Sequence, residues 1–174
     1  MSPRIYPVFL PHAGCPFQCV YCDQRAVTGL GWGPDGGAEV TASFERQVAP
    51  LIEAADRAPE RGEIAFYGGT FTALPPPVLR SILDRAASLV REGRFGGIRF
   101  STRPDALSAE VCANLRHYPV STVELGVQSL SDRVLAGSLR GYGAQAVREA
   151  ASRVHEQGWS LGVQLMPGLP GDDL

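Results

Sequence analysis

Three of the four cysteines lie close together near the amino terminus, in the segment HAGCPFQCVYCDQ. Cys15, Cys19 and Cys22 have the spacing C-x3-C-x2-C, so three thiolates on one loop can converge on one inorganic centre. A four-iron cubane needs four ligands, and three cysteines would leave one iron open for an exogenous ligand. The spacing therefore favours an iron–sulfur cluster.

A zinc site is the alternative interpretation of the same loop. Structural zinc takes four protein ligands, usually from paired C-x2-4-C knuckles, and the sequence has no second knuckle. His12 or Cys112 could supply the fourth ligand, and such a chain would be a noncatalytic zinc-binding module. Cys112 lies beside Val111 and Leu115 in a helical pattern, so we expect it to be a packed, inert thiol.

The elements that must position these cysteines alternate along the chain. Short apolar runs predict strands, and segments with a period near 3.6 residues predict the helices between them. The expected strands are 5–10, 63–67, 97–101, 122–127 and 159–166, and the expected helices are 42–57, 78–92, 108–117 and 144–157. Thr41 or Ser43 would cap the first helix, and Gly158 would end the last. This alternation predicts an α/β fold with a parallel sheet and right-handed connections.

The composition narrows the possible functions. The chain has 174 residues, 44% of them hydrophobic, and a net charge of -2, which is typical of one globular domain without a polybasic surface. All 16 basic residues are arginine, and this excludes P-loop ATPases and Schiff-base enzymes, which need lysine. We find no signal peptide or long apolar window, so we expect a cytoplasmic protein without a membrane partner, in a compartment that keeps thiols reduced.

Six motifs in one order resemble those of the radical S-adenosylmethionine (SAM) superfamily. They are the cysteine loop with its aromatic Tyr21, YGGTFT (67–72), STRPD (101–105), ELGVQS (124–129), LRGY (139–142) and MPGLPGDD (166–173). The sequence is most similar to the branch that contains the elongator catalytic subunit and the oxygen-independent coproporphyrinogen oxidases. The resemblance implies a partial (β/α)6 TIM-like barrel, of which about five strands are present, and one core domain over residues 1–174.

The resemblance also implies the cofactors and the reaction. Cys15, Cys19 and Cys22 would hold a 4Fe-4S cluster, and S-adenosyl-L-methionine would bind its open iron. Reductive cleavage of SAM would then give a 5'-deoxyadenosyl radical that abstracts hydrogen from a substrate. The relatives suggest a tRNA base or a porphyrin precursor as substrate, and a flavodoxin or ferredoxin as electron donor.

Further residues are expected to contact SAM by the same resemblance. Tyr21 would lie against the adenine, Gly68 and Gly69 would approach the methionyl amino group with Thr70 beside them, and Ser101 takes the place of a glutamate found in many relatives. Gln128 would contact the ribose and Arg140 the carboxylate. Gln164 is added because it alternates with Val163 and Leu165 on strand five and so can face the barrel. From the residues alone, the glycines could mark a plain turn, and Gln128 and Arg140 could be surface groups.

Three segments remain ambiguous or depart from the family pattern. Tyr142 stands where relatives often have histidine, which weakens any proton-transfer role there. The glycine-rich stretch Gly29 to Gly37 could be a lid, with Trp32 as a shielding ring, but loops of this length are more often connectors. The end of the chain, GLPGDDL, looks like the turn and N-cap of a helix that is not included. We therefore expect a C-terminally truncated core.

Overall fold

The computed structural model of the chain describes residues 3–10, 15, 18–22 and 36–173. The strands are β1 (Ile5–Phe9), β2 (Glu63–Tyr67), β3 (Gly97–Thr102), β4 (Val120–Gln128) and β5 (Ser160–Leu165). The α-helices are α1 (Gly36–Asp56), α2 (Pro76–Arg91), α3 (Ala109–Leu115), α4 (Asp132–Gly137) and α5 (Ala144–Glu156). Short 3-10 turns follow β2 and β3, at Phe71–Ala73 and Pro104–Ala106.

The five strands form one sheet in the order β1-β2-β3-β4-β5, and every neighbouring pair is parallel. Sequential strands are thus also spatial neighbours, as in a barrel opened along one side. The predicted α/β class and the parallel sheet are confirmed. Because all strands run the same way, their carboxyl ends meet at one edge, and the loops that carry the motifs all leave from this edge.

One face of the sheet carries the hydrophobic core. Val8, Phe66, Phe100 and Leu125 alternate with residues of the other face and are fully buried, and the long helices α1, α2 and α5 cover this side. We call the opposite side the inner face. Residues paired in register share a face, so Ser101, Glu124, Gly126 and Gln164 lie together on the inner face.

The helix boundaries agree with local sequence signals in several places. Ser108 caps α3, since its hydroxyl accepts a hydrogen bond from the Val111 N–H at 3.2 Å. Gly158 follows α5 with a φ of 73°, the left-handed conformation in which glycine commonly ends a helix. Cys112 is 2% exposed, which confirms the packed thiol expected from its helical position.

Two expectations about helices were wrong. The helix α1 already includes Gly36, so neither Thr41 nor Ser43 is its N-cap; the Thr41 hydroxyl instead bonds back to the Gly37 carbonyl inside the helix. Gly36 and Gly37 therefore belong to a helix and not to a connector, while residues 29–35 lie outside the described residues. The six-residue helix α4 was not predicted, because so short a segment shows no clear period.

None of the helices in the described residues combines the length and the apolar character needed to cross a membrane.

Candidate functional site at the carboxyl edge of the sheet

The cysteine loop follows β1 and is held against the segment that follows α4. The Cys22 N–H donates to the Cys19 carbonyl at 3.0 Å, which closes a tight turn. The Val20 N–H donates to the Ser138 carbonyl at 3.3 Å, which fastens this turn to the loop after α4. Cys19 is buried, and Cys15 and Cys22 are half-buried. The loop thus presents its sulfurs at the carboxyl edge of the sheet.

Thr70, at the end of the glycine motif after β2, contacts the first cysteine. Its hydroxyl lies 3.0 Å from the Cys15 sulfur and is buried. Burial raises the pKa of the Cys15 thiol, although the Thr70 hydrogen bond and the positive charge of Arg103 oppose this rise. Thr70 therefore bridges the cysteine loop and β2.

Gly68 has a structural reason for being glycine. Its φ is +130°, and a Cβ atom there would lie 2.2 Å from the Leu10 carbonyl oxygen. The Leu10 N–H in turn donates to the Tyr67 carbonyl at 2.8 Å. This close approach joins the ends of β1 and β2, and so it brings the cysteine loop, which begins after Leu10, towards Thr70.

Arg140 is 6% exposed and its guanidinium is held by three groups. Its Nε and Nη2 donate to the Tyr142 hydroxyl at 3.0 and 2.6 Å, and Nη2 also donates to the Gly126 carbonyl. Its Nη1 donates to the Cys19 sulfur at 3.4 Å. Burial lowers the pKa of Arg140, but the neighbouring Tyr142 and Cys19 groups outweigh this and raise it, so the guanidinium stays charged.

Tyr142 holds this arginine and a second one together. Its hydroxyl donates to the Gly126 carbonyl at 2.8 Å, and the guanidinium carbons of Arg103 and Arg140 lie 5.1 and 5.0 Å from its ring centroid. Arg103 forms a bidentate pair with Asp105, both distances being 2.9 Å, and also donates to the Arg140 carbonyl. Two buried guanidinium groups therefore stand beside the cysteine loop, and one of them is paired with a carboxylate.

Gln128 ends β4 in a strained and buried position. Its φ is 69°, which is unusual for a residue with a side chain, and it is 8% exposed. Its Oε1 atom is buried and accepts no hydrogen bond from the residues that the structure describes. A strained residue with an orphaned acceptor is a candidate ligand contact.

The inner face below this edge carries a charged network. Arg99 of β3 donates to Glu63 of β2 at 2.7 Å and to Glu124 of β4 at 2.5 Å. Ser101 is half-buried and Gln164 is exposed on the same face, in the rows that contain Glu124 and Gly126. Gln164 thus lies on the inner face, as its alternation with Val163 and Leu165 predicts.

The remaining predicted contact, Tyr21, lies in the cysteine turn. Its side chain is half-buried and lies close enough to Cys19 and Arg140 for their charges to act on its hydroxyl. Burial raises the pKa of this phenol, which therefore stays neutral. Tyr21 is thus gathered with Cys19, Arg140 and Tyr142, whereas Ser101 and Gln164 lie on the inner face of the sheet.

Within residues 3–10, 15, 18–22 and 36–173, no three His, Cys, Asp or Glu side chains are grouped as ligands of one metal ion. His12, the other candidate zinc ligand, lies outside the described residues.

A comparison with protein families shows to which family the chain belongs. The model of the radical SAM superfamily matches residues 9–174. The chain belongs to this superfamily. The prediction made from the six motifs is thereby confirmed, and the five-stranded sheet is a partial barrel of the radical SAM kind.

Similar proteins include tRNA-modifying and methyl-transferring members of the family. The tRNA uridine(34) acetyltransferase of Dehalococcoides mccartyi is 28% identical over 182 residues, covering 90% of this chain and 40% of that protein. An archaeal Elp3 structure, from Methanocaldococcus infernus, covers 99% of this chain and 40% of its own, with a TM-score of 0.67 and 18% identity. The chain therefore spans less than half the length of either protein.

A third similar protein is the radical SAM methyltransferase TsrM of Kitasatospora setae. Its structure with tryptophan and the SAM analogue aza-SAM matches with a TM-score of 0.64 and 16% identity, over 97% of this chain and 31% of that one. A second structure of TsrM contains cobalamin and a [4Fe-4S] cluster. The fold of this chain is thus also found in a protein whose solved structures contain a [4Fe-4S] cluster and a SAM analogue.

Sequence reasoning missed two members of the site. Arg103 lies within the STRPD motif, where only Ser101 was given a role, and Tyr142 was interpreted only as a departure from histidine. An arginine directly after a buried strand, followed two residues later by aspartate, is a signal that could have indicated the Arg103–Asp105 pair. Nothing local to Tyr142 indicates that its hydroxyl reaches the β4 backbone.

Proposed function

We propose that the chain is the catalytic core of a radical SAM enzyme that cleaves SAM reductively. When bound, a [4Fe-4S] cluster supplies the electron that splits SAM into methionine and a 5'-deoxyadenosyl radical, which abstracts hydrogen from substrate. The observation that carries the proposal is the placement of Cys15, Cys19 and Cys22 at the carboxyl edge of the sheet, beside two buried arginines. Residues 1–174 would form this core.

The charges around the loop fit a thiolate-bound cluster. Among the described residues, the groups that accept hydrogen bonds from the Arg140 guanidinium are a phenol, a peptide carbonyl and the Cys19 sulfur, and none of them is a carboxylate. A buried cation is costly unless an anion compensates it. Cysteine thiolates on iron would supply that negative charge, with Cys15, Cys19 and Cys22 each binding one iron and the fourth iron left for SAM.

The SAM contacts are proposed on the orphaned acceptor of Gln128 and on its neighbours. The buried Gln128 Oε1 can accept a hydrogen bond from a ribose hydroxyl. Tyr21 would pack against the adenine, and Gly68 and Gly69, with Thr70 beside them, would approach the methionyl amino group. Ser101, Gln164 and the remaining hydrogen-bonding capacity of Arg140 would complete the site from the inner face and the loop after α4.

A nucleobase of tRNA is the substrate class we propose. The support is the name of a similar protein, a tRNA uridine(34) acetyltransferase, which matches over 90% of this chain. A flavodoxin or ferredoxin would supply the electron, because the chain must receive it from outside. Neither partner is needed for the first test below.

The test is anaerobic reconstitution with iron and sulfide. We expect a brown protein with about four irons per chain, which cleaves SAM to 5'-deoxyadenosine and methionine after reduction with dithionite. Cys19→Ala should lose the cluster and the cleavage, because the cubane loses a ligand. Cys112→Ala is the matched control, since this thiol is packed in α3 away from the loop, and it should keep both.

Two outcomes would contradict the proposal. A colourless protein that retains one zinc ion per chain would favour the zinc-binding module. A Cys19→Ala variant with undiminished iron content and SAM cleavage would show that the cluster is held elsewhere.

A further inference from the structure

The Cys15 and Cys19 sulfurs each lie within hydrogen-bonding distance of a side chain from outside their own loop. The Thr70 hydroxyl, after β2, lies 3.0 Å from the Cys15 sulfur, and the Arg140 Nη1, after α4, lies 3.4 Å from the Cys19 sulfur. Thr70 is 1% exposed and Arg140 is 6% exposed. Both contacts are therefore made where water screens them little.

The orientation of Arg140 is set by groups other than the cysteine. Its Nε and Nη2 are used by the Tyr142 hydroxyl and the Gly126 carbonyl. The Tyr142 hydroxyl is itself fixed to β4, through the Gly126 carbonyl at 2.8 Å. The guanidinium is a rigid fork, so these contacts leave Nη1 directed at Cys19.

Hydrogen bonds to the sulfurs, together with net charge and burial, set the reduction potentials of iron–sulfur clusters. Reduction adds one negative charge, so a donor or a buried cation beside a ligating sulfur stabilises the reduced form more than the oxidised one. The attraction is strong at a buried site because the effective dielectric constant is low. A neutral hydroxyl should act in the same direction but less strongly than a guanidinium.

We propose that Arg140 and Thr70 are positioning residues that raise the reduction potential of the cluster by hydrogen bonding to the Cys19 and Cys15 sulfurs. This inference rests on the proposed function, and it adds a role that is separate from any contact with SAM. Tyr142, the residue that stands in place of histidine, then has a structural role, since it holds the Arg140 fork in the orientation that reaches Cys19.

The experiment is a redox titration of the reconstituted chain without SAM. Electron paramagnetic resonance of the reduced cluster measures the reduced fraction at each potential. Dithionite and redox mediators supply the electron. In Arg140→Gln we expect about a tenfold lower ratio of reduced to oxidised cluster at a fixed potential, which equals about 59 mV for a one-electron couple. Thr70→Val keeps the shape of the side chain but removes its hydroxyl, and should lower the ratio two- to threefold, by about 20 mV on the same conversion.

Matched variants distinguish the effect of these hydrogen bonds on the reduction potential from the effects of removing a positive charge or unfolding the chain. Arg116→Gln removes one positive charge at the exposed end of α3 and should leave the potential unchanged. Arg140→Lys keeps the charge but not the fork, so it should recover part of the shift. Iron content and circular dichroism are measured for every variant, since a cluster that assembles fully in a folded chain makes the potential interpretable.

The two proposals fail in different ways. A wild-type chain that takes up no cluster overturns the proposed function and this inference with it. A full cluster whose potential is the same in wild type, Arg140→Gln and Thr70→Val overturns the inference alone. If Arg140→Gln does not fold, Thr70→Val decides, and an unchanged potential in that variant counts against the proposal.

Discussion

Gly68 shows that a glycine in a family motif can also be required by packing within the chain. The nearest atom to a Cβ at this position would be the Leu10 carbonyl oxygen, 2.2 Å away. The glycine thus lets the ends of β1 and β2 meet. Thr70, two residues later, can then reach Cys15. The close approach of the ends of β1 and β2 therefore both requires a glycine at position 68 and brings Thr70 to the cysteine loop.

Replacing Gly68 by alanine should destabilise the fold severely. The left-handed φ of +130° and the clash with the Leu10 backbone act together, and we expect a loss of about 3 kcal/mol or more in the free energy of unfolding. Gly158→Ala is the control: it has a similar left-handed φ of +73°, but nothing lies within 4 Å of its Cβ position, so about 1 kcal/mol should be lost. Urea unfolding of both variants measures the difference. Equal losses of unfolding free energy in the two variants would show that the clash with the Leu10 backbone does not contribute.

Sequence alone could predict the residues whose type and spacing along the chain already indicate their chemistry. The three cysteines and the order of the motifs were enough to expect the family, which is confirmed. Tyr142 could not be predicted, because its hydroxyl bonds to Gly126 and Arg140, which different elements bring to it. Arg103 was missed for a related reason, since its burial depends on the packing of the loop after α4.

At the scale of elements, one charged network ties three neighbouring strands together on the inner face. Glu63 of β2 accepts hydrogen bonds from Arg99 of β3 and from Thr122 of β4, both at 2.7 Å, and Ser121 adds a third. Its side chain is 7% exposed. A buried carboxylate with this many donors is stabilised in its charged form.

This network predicts a defined acid sensitivity. Burial tends to raise the pKa of Glu63, but the hydrogen bonds from Ser121, Thr122 and Arg99 outweigh it, so the folded-state pKa lies below the ordinary value of 4.5. The stabilisation is therefore fully present above pH 4.5 and is lost as the pH falls through the lowered pKa. Glu63→Gln should cost about 2 kcal/mol at pH 7 and should weaken the loss of stability on acidification.

Urea unfolding at pH 7 and near pH 3 tests this. Glu53→Gln is the control, because Glu53 lies on the exposed side of α1, in a surface pair with Arg57, and surface pairs contribute little. Its unfolding curves should follow wild type at both pH values. An acid dependence in Glu63→Gln that is the same as in wild type would show that other carboxylates govern the acid unfolding.

Most elements could be predicted because their signals are long and periodic. All five strands and the helices α2, α3 and α5 lie where the apolar patterns placed them, within a few residues. The start of α1 could not be predicted, since glycine opposes helix formation locally, yet Val40 and Phe44 are buried in the core and the helix extends to include Gly36 and Gly37. Tertiary packing here overrides local propensity.

At the scale of the whole molecule, the two edges of the sheet in the described part of the chain differ from each other. At β1, the side-chain amide of Gln47 from α1 bonds both the N–H and the carbonyl of Phe9, each at 2.8 Å. This amide occupies the position that another strand would take. At β5, the other edge of the sheet, Val163 and Leu165 are 53% and 58% exposed. Unpaired strand edges with exposed apolar side chains favour association with other chains.

We therefore expect the 174-residue chain to self-associate through β5 as its concentration rises. Val163→Lys places a charge on this strand, and charged residues on edge strands oppose edge-to-edge pairing, so this variant should stay monomeric to at least about tenfold higher concentration. Ala113→Lys adds the same charge on the exposed side of α3 and should associate like wild type. Size-exclusion chromatography with light scattering over a concentration series gives the comparison. A wild-type chain that is monomeric throughout, or equal association of wild type and Val163→Lys, would show that β5 does not drive assembly.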